Sequence, residues 1–279
     1  MSVIALALGF VLLVAQAPAD PNAVTLLSND DAGSEQCGGD QLAWTNAPSF
    51  DVAHPGFVTM RATAADGTVD FDLARPLVPG EKLIPLWCGD LLGDGSEVLG
   101  YELFSGGAHC CFSVSVVPLS PGADHLLDVD LGNGGLTAPD QLDGGGPLEL
   151  VGGSDVFAYF DDLSFAASPF LPLVYAYDGQ DYVEATRQFP SLLRDHIHQA
   201  EADLSEVVAR PADPNVPKQF RFQEQESVAL RLYGLHVLLG DPDQALADLE
   251  SRVSPEAANW LAANASAASD AMSRVYNLS

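Results

Sequence analysis

Two adjacent cysteines, Cys110 and Cys111, close the string Ser105-Gly-Gly-Ala-His-Cys-Cys-Phe112 and lead directly into the alternating pattern Phe112-Ser-Val-Ser-Val116. In an extended segment, successive side chains point to opposite faces. Cys110 then shares a face with Phe112, Val114 and Val116 and looks into a core, whereas Cys111 sides with Ser113 and Ser115. The chain has two further cysteines, Cys37 and Cys88, and an even number suggests two disulfides if the protein is exported. Strand parity favours separate partners, one of Cys110 and Cys111 with Cys37 and the other with Cys88. Which cysteine takes which is left open.

The N-terminus fits that compartment. Val3 to Val14 is an apolar run followed by Ala15-Gln-Ala-Pro-Ala19, so residues 1–19 read as a secretory signal peptide with cleavage near Asp20. A basic n-region is missing, which leaves an uncleaved anchor as the alternative. The run is nevertheless short of the ~20 residues a full span requires, and no later segment approaches that length. The expected location is therefore secreted, periplasmic or cell envelope, with no membrane span in the mature chain. Roughly 260 residues remain, enough to bury a core without relying on cysteine staples.

The formal charge is −28, from 11 basic and 39 acidic side chains, and it is unevenly placed. Residues 20–189 hold 26 acidic and 4 basic residues, against 13 and 7 in residues 190–279. Such a field repels nucleic acid and anionic lipid and attracts cations and basic proteins. Nucleic acid is thereby excluded as a partner class, and another envelope or extracellular protein is the expected one. An acidic surface also serves solubility alone.

From about residue 40 to 186 the pattern is strand-like. Phe57 to Ala62 alternates, turns at Asp66-Gly67 and returns with Val69, Phe71 and Leu73 on one face, which predicts a hairpin. A second hairpin is predicted from Leu173 to Val183 through Asp178-Gly179, a pair suited to the positive φ of a tight turn. Strands at 97–104, 110–117, 125–131 and 148–160 fall between them. The expected fold is mainly β, a propeller-like or sandwich-like antiparallel sheet, over residues 20–189.

Two stretches share one plan: Asp90-Leu-Leu-Gly-Asp-Gly-Ser-Glu-Val-Leu-Gly100 and Asp140-Gln-Leu-Asp-Gly-Gly-Gly-Pro-Leu-Glu-Leu150. Each sets an acidic glycine turn before a Glu that opens an apolar strand. These residues resemble FG-GAP or VCBS repeats, the blade modules of secreted bacterial proteins and integrin-type propellers. The Ser105 to Phe112 string is similar to the Ser-Gly-Gly-Ala-His-Cys-Cys signature of a group of exported bacterial proteins carrying such repeats. The resemblance covers roughly residues 86–186 and implies a propeller-like module used for extracellular binding or scaffolding.

After Pro190 the pattern turns helical, giving a C-terminal α-helical segment over 190–279. Leu192 to Ala209 predicts one helix, followed by a proline-rich linker at 211–217. Val228, Leu232, Leu235 and Leu239 predict a second helix, with Gly240 as its C′ residue. Asp241-Pro242 and Ser254-Pro255 read as N-caps followed by proline at the first helical position, starting helices that bury Leu246, Leu249, Trp260 and Leu261. A single unit resembling a tetratricopeptide repeat cannot bury its own face, so a helical cap packed on the sheet is expected.

Calcium is the metal the loops best suit, because hard cations take oxygen ligands from turns with alternating acids and a glycine. Asp90, Asp94 and Glu97 supply three of the expected positions around Gly95, so they form a candidate weak calcium loop. Leu92 stands where another acid belongs, and Glu97 arrives one residue early. The second turn keeps Asp143 and Glu149 but has Gly145 where an acid is expected. The simpler reading of both is a tight turn whose carboxylates accept backbone N–H groups. A copper or zinc site at His109, Cys110 and Cys111 is opposed by spacing, since zinc ligands are normally two or more residues apart. His196 and His198 diverge on a helix and read as surface residues.

For hydrolysis, Ser105 lacks a G-x-S-x-G elbow, and nothing in the sequence brings a base to it. Asp161-Asp162, beside Tyr159 and Phe160, could form a glycosidase acid pair if their separation allowed. No catalytic residue and no further cofactor is assigned. The function expected is a non-enzymatic binding or scaffolding protein of the cell envelope. An exported hydrolase of glycan or peptide, with its site between sheet and helices, is the alternative.

Overall fold

The computed structural model describes residues 24–51, 53–107, 111–210 and 222–278. The chain is mainly β, with a helical segment at its C-terminus. Its strands form three consecutive antiparallel meanders. The first sheet is β2 (Ala32–Cys37), β3 (Asp40–Ala47), β4 (Phe57–Ala64) and β5 (Val69–Pro76), in chain order. The second is β6 (Lys82–Gly89), β7 (Val98–Phe104), β8 (Phe112–Pro118) and β9 (Leu127–Gly132), with the short β1 (Thr25–Leu26) on the outer side of β6. The third is β10 (Gly135–Leu136), β11 (Leu150–Ser154), β12 (Leu171–Tyr177) and β13 (Tyr182–Glu184). None of them closes on itself. Up-and-down units of four strands following one another along the chain are the organisation of propeller blades.

Alternation sets how the units stack. In β3 the residues Asp40, Leu42, Trp44 and Asn46 point inward while their neighbours face solvent. Opposite them on β4 lie Ala62, Met60 and Val58. Together with Leu83, Cys88, Leu99, Tyr101 and Val117 they form one core between the first and second sheets. The other face of the second sheet gives Trp87, Val98, Val114 and Val116 to a larger core, shared with the third sheet and the helices. β7 and β8 are thus covered on both faces over much of their length: Val98 to Tyr101 and Val114 to Val117 are buried without interruption, Ser115 among them.

Two tryptophans bind the layers. Trp44 lies opposite Gly33 and Trp87 opposite Gly100 on neighbouring strands, and a β-carbon on either glycine would overlap the indole. The freed space lets the rings lie flat on the sheet. Trp87 Nε1 donates to Thr137 O at 3.1 Å, crossing from the second sheet to the third. Asn46, buried in the first sheet, donates from Nδ2 to Leu83 O at 2.7 Å and so pairs with the backbone of the second.

The helices are α1 (Pro190–Ala209), α2 (Gln223–Leu239), α3 (Pro242–Glu250) and α4 (Pro255–Met272). Gly240, with φ +88°, ends α2, and Ser254 Oγ caps α4 by accepting from Ala257 N at 3.3 Å. Leu249 and Leu261 are buried, whereas Leu246 and Trp260 are only partly covered. α2 is central: Leu230, Leu235 and Leu238 share the main core with Leu171 and Leu173 of β12, and Gly234 lets Leu171 and Phe157 close on the helix. The helices cover the third sheet. The strand expected over 148–160 stops at Ser154, and the chain then forms an irregular loop to residue 170. β2 was not expected, because Ala32 to Cys37 carries almost no apolar residue; it is an exposed edge strand. The linker at 211–217 lies outside the described residues.

Candidate functional site: the paired acidic turns

Cys37 is bonded to Cys88, with Cα atoms 5.8 Å apart, and both are buried between the first two sheets. This corrects the pairing expected from strand parity. Cys88 sits at the end of β6 where it meets Leu99, the start of β7, while Cys111 lies beyond the other end of that strand pair. About six residues of strand, or some 20 Å, separate them. Ser105 N donates to Cys111 O at 3.0 Å, and Cys111 N donates to Ser105 Oγ at 2.7 Å, closing the β7–β8 connection. Among the described residues no cysteine is a free thiol. His109 and Cys110 lie outside the described residues. The Cys37–Cys88 bond closes a loop of 51 residues, which the chain-entropy account values at about 4 kcal/mol.

The first acidic turn lies beside that bond. Asp90 accepts from the N–H groups of Gly93, Asp94 and Gly95 at 2.8, 3.2 and 2.9 Å. Asp94 accepts from the hydroxyl and the N–H of Ser96, and those bonds hold its carboxyl below the ordinary range. Leu92 packs against the main core, so the position that lacks a ligand serves as an anchor. Glu97 turns inward beneath Gly38, whose φ is +56° and whose β-carbon, if present, would overlap the Glu97 carboxyl. Burial first, then the charges of Asp90 and Asp40, raise the Glu97 carboxyl above its usual range. Its Oε2 is enclosed and has no hydrogen-bond partner. Asp40 is itself buried and is raised by burial and by Asp70.

The second turn abuts the first: Leu148 N donates to Leu91 O at 2.7 Å. The two stretches related in sequence are therefore neighbours in space. Asp140 and Glu149 pair across it through two backbone hydrogen bonds. Asp143 accepts from Gly145 N at 3.0 Å, and Glu149 Oε2 accepts from Leu142 N at 2.8 Å. Burial, and to a smaller degree Asp143 and Asp140, raise Glu149 despite that donor.

Asp90, Asp94 and Glu97 thus share one turn, but their oxygens serve different purposes. Asp90 and Asp94 organise the backbone, and Glu97 faces inward. Among the described residues no three His, Cys, Asp or Glu side chains are grouped to hold a metal ion. Sequence reasoning missed Asp40 and Gly38, which meet Glu97 only through the pairing of β2 with β3. It also placed His196 on the surface, whereas this residue is half-buried in a groove with Phe170 and Arg231, and burial lowers its pKa. His198 is exposed as expected. No family model, curated protein or solved structure matches the chain. Among the described residues no helix is long and apolar enough to cross a membrane.

Proposed function

We propose that this chain is an exported, non-enzymatic binding or scaffolding protein of the cell envelope, built from FG-GAP-like β units and capped by helices. The observation that carries this reading is the meeting of the two acidic glycine turns, each with a Glu at the head of a strand, Glu149 buried and Glu97 partly buried, at the junction of successive meanders. Loops between stacked sheets are where such scaffolds present binding groups. A face this acidic suits a basic region of another envelope or extracellular protein. Calcium at Asp90, Asp94 and Glu97 would have to displace the backbone donors that Asp90 and Asp94 now hold and draw the three carboxyls together. The test is in situ cross-linking in the native envelope, followed by mass spectrometry. Reproducible links from the 90–97 and 140–149 turns to one envelope protein are expected; recovery of the intact chain from Met1 in the cytoplasm would overturn the reading.

A further inference from the structure

Where β11 ends and β12 begins, α1 and α2 leave a cavity of about 330 Å³ against the third sheet. Helical spacing sets its helix-side wall. Ser227 and Arg231, four residues apart, share one face of α2, and His196 lines the same cavity from α1. Arg231 ties the two helices together: Nη1 donates to Asp203 Oδ2 at 3.0 Å and Nη2 to Gln199 Oε1 at 3.4 Å. His196, Gln199 and Asp203 follow one another on α1 at intervals of three and four residues, so the guanidinium that bonds the last two lies beside the first. From the sheet side come Gly152 and Gly153, which carry no side chain to fill the space, and Phe170, which is 41% exposed.

The polar groups of this cavity have donors to spare. Arg231 Nε is enclosed without a hydrogen-bond partner, and the Nη2 bond to Gln199 is at the outer limit of length. Among the described residues neither the His196 ring nor the Ser227 hydroxyl makes a hydrogen bond. Burial first, and then the charge of Arg231, lower the His196 pKa, and Asp195 on its own helix opposes them less; the sheet side of the lining contributes no titratable group. The imidazole is therefore neutral at pH 7 while the cavity is empty. None of the described residues lining it is acidic, in a chain with 39 acidic side chains. A guanidinium drawn out of water with one carboxylate partner, beside two unused polar groups, is an arrangement that an anion completes.

We propose that this cavity binds the carboxylate of an apolar monocarboxylic acid, with the carboxylate on Arg231, His196 and Ser227 and the apolar body against Phe170, Pro169 and Val228. A volume of about 330 Å³ is at the small end for ligand cavities, and an apolar wall with a few convergent polar groups is their usual composition. Phosphate would bring a second negative charge to a guanidinium that already pairs with Asp203, next to a neutral imidazole. A carboxylate carries one charge and matches the planar fork of arginine. A free acid and the C-terminal residue of a peptide present the same chemistry. The cavity shares no residue with the paired acidic turns, and its failure would leave the envelope-binding reading standing.

Calorimetric titration of the intact protein with 4-phenylbutyrate and with Nα-acetyl-alanyl-phenylalanine tests this, using 4-phenylbutyramide, acetate and inorganic phosphate for comparison. The carboxylate should bind about tenfold or more tightly than its amide, and Arg231→Gln should remove that difference. Phe170→Ala should weaken 4-phenylbutyrate about threefold or more and so reduce its preference over acetate. An anion beside His196 favours the charged ring, so affinity should rise about threefold or more from pH 7.5 to 5.5, and the His196 ring resonance should titrate at higher pH in the complex. Tighter binding of 4-phenylbutyrate than of the dipeptide assigns the ligand to a free acid; the reverse assigns it to a chain terminus. An amide as tight as the acid, phosphate tighter than either carboxylate, an unchanged Arg231→Gln titration, or no binding of either carboxylate at millimolar concentration would overturn the proposal. If Arg231→Gln fails to fold, His196→Gln replaces it, and loss of the pH dependence is the expected result.

Discussion

Glu149 and Glu226 are buried to almost the same extent, 4% and 8% exposed, yet their surroundings are opposite. Glu149 closes a turn of its own: Leu142 donates its N–H to the carboxyl, and the residues around it belong to one sequence-local unit. Glu226 has no donor at Oε2 and faces acids supplied by a loop some sixty residues earlier. Burial raises both carboxyls, but only Glu149 has a hydrogen bond that opposes the rise. The contrast separates two uses of a buried acid. One completes a backbone turn, and the other leaves a local charge imbalance that the fold by itself does not relieve.

Neutralising Glu226 should give the largest effect and sharpen the contrast most. Its folded value of about 7 stands above the 4.5 of a glutamate free in water. The folded state therefore keeps a proton that the unfolded state releases between those two values. Stability is full below about 4.5, falls as pH rises towards 7, and stays low above it. Glu226→Gln should remove that fall and stabilise the protein at pH 8 by on the order of 2 kcal/mol, with little change at pH 4. Denaturant unfolding at the two pH values measures it. A destabilised variant at pH 8 would mean that Glu226 has a stabilising partner after all.

Next in size is the loss of Glu149. Glu149→Ala strands the Leu142 N–H behind the second turn and should cost about 1–2 kcal/mol at pH 8. Glu149→Gln keeps an acceptor there and should fall within ~0.5 kcal/mol of the parent. Equal stabilisation by glutamine at 149 and 226 would break the comparison, because the Leu142 bond would then count for nothing.

The legibility of these features in the sequence follows their range along the chain. Both hairpins and the helix boundaries at Pro190, Gly240 and Ser254 rest on local patterns, and the fold bears them out. The disulfide was misread because parity fixes which way a side chain points, not which end of a sheet it occupies. Cys37 and Cys88 meet through the stacking of two sheets, which no local pattern reveals. β2 was missed because an edge strand with polar residues on both faces shows no apolar alternation. Asp161 and Asp162 stood out as an acid pair, but Glu226 reads in sequence as an ordinary polar position in the first turn of a helix. Only the long loop that leaves the sheet at Ser154 carries the charges of Asp161 and Asp162 to the helix that holds Glu226.

The smallest effect concerns calcium at the first turn. Asp90 already receives three backbone N–H groups, and Asp94 receives the N–H and the hydroxyl of Ser96. An ion entering there must compete with those donors, and Leu92 offers it no oxygen. Affinity should lie near the weak, millimolar end known for extracellular modules. At a concentration equal to such a dissociation constant, mass action adds only about 0.4 kcal/mol, or about 1 °C in melting temperature for a chain of this size. Screening of a −28 charge raises stability with any salt, so magnesium at matched ionic strength is the reference. A calcium-specific shift of about 1 °C at millimolar concentration, removed by Asp94→Ala, is the expected result. A much larger shift at micromolar calcium would mean that the turn exchanges its backbone donors for the ion, and that the geometry of Asp90 changes on binding.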